Sequence, residues 1–151
     1  TSNKSETAVG YATLYGDMVG GFSDLKDVPK TWVYKLAQFI NENEIIIPTR
    51  IITRAPSAEL KDNQSDQDSL PNYEILDGII DLYLDKGQSP AAIIKKGYSA
   101  LQVKKVVKLI HANEFKRRQS APGPKVTNKA FGKERRYPIT NNFRILTKGK
   151  S

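Results

Sequence analysis

The chain has 151 residues, 38% apolar and 26% charged, the size and composition of one globular domain rather than of a disordered segment. It contains no cysteine, which excludes disulfides, thiolate metal sites and a cysteine nucleophile; it has no run of roughly 18 or more apolar residues that would span a bilayer, and its first residues lack the basic-then-apolar profile of a secretion signal. The net charge of +8 is uneven: residues 1–103 carry 10 Lys/Arg against 14 Asp/Glu, and residues 104–151 carry 14 against 2, so the basic block that could serve nucleic acid, phosphate-rich small molecules or an acidic surface is confined to the last third.

The chain begins on a helical pattern with no lead-in strand, as though cut from something longer. Ser5 is placed to cap a helix running through Ala8, Val9 and Ala12 and ending before Gly16. The glycines of Tyr15-Gly16-Asp17-Met18-Val19-Gly20-Gly21-Phe22 predict a shaped loop. Pro29 suits the first turn of a second helix, with Trp32, Val33, Leu36, Phe39 and Ile40 on one face. Residues 44–53 are short, β-branched and broken by Pro48, which allows extended segments or an edge strand. Residues 54–70 lose apolar periodicity and read as a long loop, of the kind that compact domains keep for a use.

Three punctuated helices are predicted next. Leu76, Ile79, Ile80 and Tyr83 form a stripe stopped by Gly87, and Ser89-Pro90 opens a helix that Gly97 closes. Ser99-Ala100-Leu101-Gln102 is a capping-box pattern, followed by Val103, Val106, Val107 and Ile110 on one face. Beyond Arg118 the pattern lapses into a loosely held tail with anchors at Phe131, Tyr137, Ile139 and Phe143. A helix-rich piece with few strands is what part of an α/β domain looks like without most of its sheet.

The single histidine, His111, reads as an ordinary residue on the polar side of its helix. Zinc normally takes three or four N or S ligands, and a Ser-His-Asp triad needs an acidic partner that His111 lacks in sequence, so neither chemistry is available. Glu6, on the first turn of a helix whose amino end supplies hydroxyls and amide protons, is either a helix-capping acid or a Mg²⁺-holding carboxylate beside a phosphate site. Asp17 is either a turn residue or part of a site, and Lys30 sits at a helix start, where the dipole disfavours a cation and a functional reason is invited.

Several strings occur in order: Thr1-Ser2-Asn3-Lys4-Ser5-Glu6, Ala8-Val9-Gly10-Tyr11-Ala12-Thr13-Leu14-Tyr15-Gly16-Asp17-Met18, Gly20-Gly21-Phe22 and Lys26-Asp27-Val28-Pro29-Lys30-Thr31. They continue with Pro56-Ser57-Ala58-Glu59-Leu60, Asp66-Gln67-Asp68-Ser69-Leu70-Pro71, Glu114-Phe115-Lys116-Arg117-Arg118-Gln119, Pro122-Gly123 and Arg135-Arg136-Tyr137-Pro138-Ile139-Thr140. Together they resemble the synthetase domain of glutamine-dependent NAD synthetases, over nearly the whole chain.

The resemblance implies that residues 1–151 are the C-terminal part of a Rossmann-like ATP-pyrophosphatase-type α/β domain, mostly helical as it stands. It implies a C–N-bond-forming ligase in which the nicotinate carboxylate of deamido-NAD is adenylated by ATP and ammonia, supplied from glutamine, displaces AMP. ATP and Mg²⁺ are the implied cofactors, a homo-oligomer with dimeric synthetase domains or larger is the implied assembly, the location is cytoplasmic, and neither nucleic acid nor membrane is a partner. By the family pattern Thr1, Lys30 and Ser57 contact ATP, Glu6 lies at the metal and deamido-NAD end, and Lys116 contacts deamido-NAD. Asp17 and Lys30 are the catalytic candidates, Asp17 orienting or deprotonating ammonia. The family's Ser-Gly-Gly loop with its Asp-Ser pair and the cysteine-bearing glutaminase domain do not occur in these 151 residues, so the fragment by itself is expected to be inactive. The rival readings are another ATP-pyrophosphatase-type ligase, such as a GMP synthetase or a tRNA-modifying ligase, and a basic nucleic-acid-binding module.

Overall fold

The structure, a computed structural model, describes residues 2–16, 18–54 and 70–140. Among them lie seven helices and no strand: α1 (Lys4–Val9), α2 (Lys30–Ile40), α3 (Thr49–Thr53), α4 (Tyr73–Ile80), α5 (Pro90–Lys95), α6 (Ala100–Ala112) and α7 (Glu114–Gln119). A π turn, Asp81–Asp85, extends α4. The six-residue α1 is central, packed against α2, α4 and α6, while α5 lies on α6 and on the π turn.

The first helix departs from the sequence reading at both ends. Its cap is Asn3, whose side chain accepts from the Glu6 amide at 3.0 Å while the Glu6 carboxylate accepts from the Asn3 amide at 3.3 Å, a reciprocal capping box. Ser5 is unavailable as a cap because its hydroxyl is buried and joins α2 to α4. The helix stops at Gly10 rather than near Gly16. Gly10 has φ of 72°, and a Cβ there would fall 2.1 Å from the Asn113 side chain, which donates to Val9 O at 2.8 Å. Only glycine allows both the left-handed turn and this close approach.

Residues 44–53 also differ from expectation. Asn41 brackets the loop by accepting from the amides of Ile46 and Ile47 and donating to Ile47 O, and the chain after Pro48 turns into α3 instead of a strand. The segment 55–69, including most of the expected long loop, lies outside the described residues.

The last helices follow the sequence closely. Ser89 caps α5 through the Ala92 amide, and Val103, Val106, Val107 and Ile110 of α6 are buried with Val9, Leu76 and Ile79. Two details are corrected: Ser99 forms no side-chain cap, and the Leu76 helix does not run uniformly to Gly87 but widens into the π turn. On α2 the apolar face is formed as predicted yet none of the helix is buried, Trp32 being 45% and Phe39 67% exposed.

Residues 119–140 are not loosely held, while the expected anchor Phe143 lies outside the described residues. Asp27 accepts from the amides of Val126 and Thr127 at 2.8 and 2.7 Å, and Asp85 accepts from the Lys129 amide at 3.0 Å. Lys4, fully buried, donates to both oxygens of Asp85 (3.1 and 2.9 Å), to Thr127 Oγ1 and to Lys129 O, with Asp27 at 3.3 Å. One ammonium thus ties α1, the loop before α2, the π turn and the returning tail. Phe131 completes the closure, packing on the core with the Arg117 guanidinium 4.9 Å from its ring.

His111 is more engaged than its sequence position shows. Its Nε2 shares a hydrogen bond of 2.8 Å with the Tyr83 hydroxyl, and Tyr137 of the tail lies 4.7 Å from its ring. Burial, then the nearby Arg135 and Arg117 cations, hold its pKa below the ordinary value.

Two stability outcomes follow. Lys4→Met leaves Asp27 and Asp85 buried without their cation and should cost about 3–5 kcal/mol in urea unfolding, with partial recovery when Asp27→Asn and Asp85→Asn are added; a loss under about 1 kcal/mol would remove Lys4 from its central role. For His111, a depressed folded-state pKa means that the unfolded chain binds the extra proton as pH falls below about 6.5, so stability declines in that direction. His111→Gln should flatten the decline between about pH 6.5 and 5, and an unchanged slope would assign it to other groups.

Candidate functional site

The residues nominated from sequence divide in two. Thr1, Asp17 and Ser57 lie outside the described residues; Glu6, Lys30 and Lys116 lie within them. Glu6 and Lys30 are brought together: Lys30 Nζ is 3.2 Å from Glu6 Oε1, with side chains 20% and 15% exposed. The same ammonium lies over two aromatic rings, 5.7 Å from Tyr34 and 5.5 Å from Tyr73. A cation at the start of α2, where the dipole disfavours it, is offset by one carboxylate and two ring faces.

The start of α2 is locked by groups that no local pattern revealed. Pro29 offers no side-chain cap. Instead Ser5 Oγ accepts from the Lys30 amide at 2.9 Å and donates to Asp77 Oδ1, and Asp77 Oδ2 accepts from the Thr31 amide at 2.9 Å and its hydroxyl at 2.8 Å. A hydroxyl from α1 and a carboxylate from α4 therefore satisfy the first two amides of α2. Beside this lock is a cavity of about 630 Å³ lined by Thr31, Trp32, Lys35, Asp77 and Asp81, among others, but not by Glu6, Lys30 or Lys116.

Lys116 sits at the other end of α1. Its Nζ donates to Gly10 O at 2.7 Å and Ala12 O at 3.0 Å, carbonyls just past the helix end. Two of the three ammonium protons are thus used within the chain. Glu6 and Gly10 are about one helical turn apart, roughly 5–6 Å along the axis. The structure therefore places Glu6 and Lys30 at one end of α1 and Lys116 at the other.

The position of α7 is set by a buried charge cluster. Glu114 accepts from Arg117 at 2.9 Å and from Arg118 at 2.8 Å, and Arg117 also donates to Ala8 O at 2.8 Å and to Ile110 O. Burial pushes the Glu114 pKa up, but the bonds from Arg118 and Arg117 outweigh it and hold the carboxyl below its ordinary value. Arg117 points inward, Lys116 lies on the Gly10 and Ala12 carbonyls, and Arg118 is exposed. Sequence reading missed Lys4, Asp77 and Arg117 and gave Ser5 a capping role; a polar group that folding buries must find a partner, and these partners are distant in the chain.

Among the described residues no group of three or more His, Asp or Glu converges in a way that could hold a metal unaided. Glu6 is a single carboxylate, already facing a cation. That set fits an ion such as Mg²⁺ arriving with phosphate oxygens and water as its other ligands, and does not fit an all-protein cage.

Comparison with known proteins supplies the family. Residues 1–120 match the NAD synthase family profile. The glutamine-dependent NAD(+) synthetase of Aquifex aeolicus is 57% identical over 143 residues, covering 95% of this chain and 25% of that protein. The corresponding protein of Thermotoga maritima is 49% identical over 146 residues, covering 95% of this chain and 25% of that protein. Among solved structures, the Acinetobacter baumannii glutamine-dependent NAD⁺ synthetase in complex with ADP is 47% identical with a TM-score of 0.51, covering 97% of this chain and 26% of that one. The Cytophaga hutchinsonii enzyme is 26% identical with a TM-score of 0.70, covering 94% of this chain and 24% of that one. The chain thus spans about a quarter of the length of these relatives. Its helices form part of their Rossmann-like fold, and by sequence and by structure the chain belongs to the NAD synthase family.

Proposed function

We propose that the protein to which this chain contributes amidates deamido-NAD to NAD at the expense of ATP, through an adenylated nicotinate and with ammonia drawn from glutamine, and that residues 1–151 supply part of the synthetase domain. The observation that carries this reading is the Glu6–Lys30 pair, held at 3.2 Å where α1 and α2 begin and positioned by the Ser5–Asp77–Thr31 lock. Family membership and a relative solved with ADP support the nucleotide assignment.

In this reading the chain's residues do electrostatic work. Both substrates are phosphate-bearing anions, and their approach is opposed by repulsion until fixed positive charge meets the oxygens where negative charge gathers. Lys30 offers its ammonium to ATP, from a site that Tyr34 and Tyr73 partly shield from water. Glu6 would hold Mg²⁺ together with phosphate oxygens, and the ion's contribution is to neutralise phosphate charge. Lys116 has one donor left after holding Gly10 and Ala12, and it directs that donor to deamido-NAD. Thr1 and Ser57 take ATP contacts and Asp17 the ammonia. This reading places the protein in the cytoplasm. The uncovered face of α2, with Trp32, Leu36, Phe39 and Ile40, supports assembly with further protein as a homo-oligomer.

The pair and the cap make separable expectations in the full-length protein. Glu6→Gln should lower turnover chiefly at limiting Mg²⁺, and Glu6→Gln with Lys30→Gln should be non-additive by about 0.5–3 kcal/mol in kcat/KM, as contacting groups are. Simple additivity would separate the two residues functionally. Lys116→Ala should reduce kcat/KM for deamido-NAD roughly 10- to 150-fold, the worth of one charged hydrogen bond, with ATP little affected. Equal losses for both substrates would leave Lys116 as a helix cap alone.

A further inference from the structure

A second cavity, of about 480 Å³, opens between the loop before α2, α7 and the returning tail. Its lining includes five cations, Lys26, Arg117, Arg118, Arg135 and Arg136, against two carboxylates, Asp27 and Glu114. Both carboxylates are already committed, Asp27 to Lys4 and the amides of Val126 and Thr127, and Glu114 to Arg117 and Arg118. The cavity therefore holds an excess of positive charge.

Arg135 gives that charge a direction. Its guanidinium carbon lies 5.0 Å from the Tyr83 ring and 4.3 Å from the Tyr137 ring. Two aromatic rings thus stand against its charge. Nε and Nη2 are buried and find no acceptor among the described residues. Their N–H groups project side by side, the fork that meets two oxygens of one phosphate or carboxylate. Both nitrogens are out of contact with solvent, so an anion reaches them only when the Arg135 side chain moves. Lys26 points the same way: burial lowers its pKa, and its present partners, Ser120 Oγ and Ala121 O, are both neutral. Phe131 adds an apolar wall.

We propose that this cavity is a second anion-binding site, separate from Glu6 and Lys30, which takes the phosphate group of a small molecule on the Arg135 fork with Arg136 and Lys26 as flanking charges. The proposal does not depend on the amidation reading, since it rests on unpaired donors and charge excess in a cavity that Glu6, Lys30 and Lys116 do not line.

The test is calorimetric titration of the full-length protein with sodium pyrophosphate at constant ionic strength. A binding component should persist in Lys30→Gln and weaken roughly tenfold or more in Arg135→Gln, as loss of a charged bidentate partner requires. Arg136→Gln, at an exposed position whose one hydrogen bond among the described residues is to Gly132 O, should weaken it about threefold without disturbing the fold, and so carries the test if Arg135→Gln does not fold. Titration with ADP distinguishes the sources: sensitivity to Arg136→Gln for both ligands supports a nucleotide phosphate, and for pyrophosphate alone a free inorganic anion. Loss of the component in Lys30→Gln would reduce the two sites to one and overturn the proposal. Binding unmoved by both arginine variants would do the same, leaving the fork to a carboxylate elsewhere in the protein.

Discussion

The structure depends on a buried ammonium. Lys4 lies inside a six-residue helix, far too short to be stable alone, and is enclosed by Asp27, Asp85, Thr127 and the Lys129 carbonyl. A charge in that position is tolerable only when every donor is met, so the three segments that meet it must be present together. The partners come from places 23 to 125 residues away in sequence. Folding of α1 is thereby made conditional on the π turn and on the return of the tail. The stretch from Val126 to Lys129 is held against the body of the chain by this constraint, with three of its backbone amides engaged by Asp27 and Asp85 rather than left to solvent.

The same economy organises the candidate site. Ser5 follows Lys4 on α1, and its hydroxyl mediates between the first amide of α2 and Asp77 of α4. Asp77 in turn accepts from Thr31, so α2 is capped by tertiary structure and Lys30 is delivered to Glu6 with its backbone already fixed. Preorganisation of this kind lets a fixed cation act on an anionic substrate without spending binding energy on arranging itself. Lys116 is fixed independently, through α7 and the buried Glu114–Arg117 pair, which couples its helix to the carbonyls of Ala8 and Ile110.

Charge is consequently divided between roles. Arg117 serves packing, Lys116 lies on the carbonyls after α1, and Arg118, Arg135 and Arg136 face a common cavity. Lys116, Arg117, Arg118, Arg135 and Arg136 are not one patch, because Glu114 pairs with Arg117 and Arg118 while Arg135 and Arg136 have no carboxylate partner among the described residues. The apolar face of α2 is similarly divided from the core: it has the helical period of a packed element but remains exposed among the described residues.

What the sequence by itself determined was the periodic and the punctuated. The stripes Leu76, Ile79, Ile80 and Val103, Val106, Val107, Ile110 predicted buried faces because helical period is a local property, and Ser89-Pro90, Gly87 and Gly97 marked helix ends because their backbone preferences are local too. The ordered motifs pointed to the family, and Lys30 was singled out by its unfavourable place at a helix start. Only the tertiary structure decided that Asn3 rather than Ser5 caps α1, that Gly10 ends it against Asn113, that residues 49–53 coil into α3, and that the tail is pinned. Three of those outcomes turn on a partner distant in the chain: Asp77 for Ser5, Asn113 for Gly10, Asp27 for Thr127. Hydrogen bonds and ion pairs of that range leave no periodicity in the sequence, because the energy that selects them is the cost of burying a polar group unpaired, and that cost exists only once the chain has closed around it.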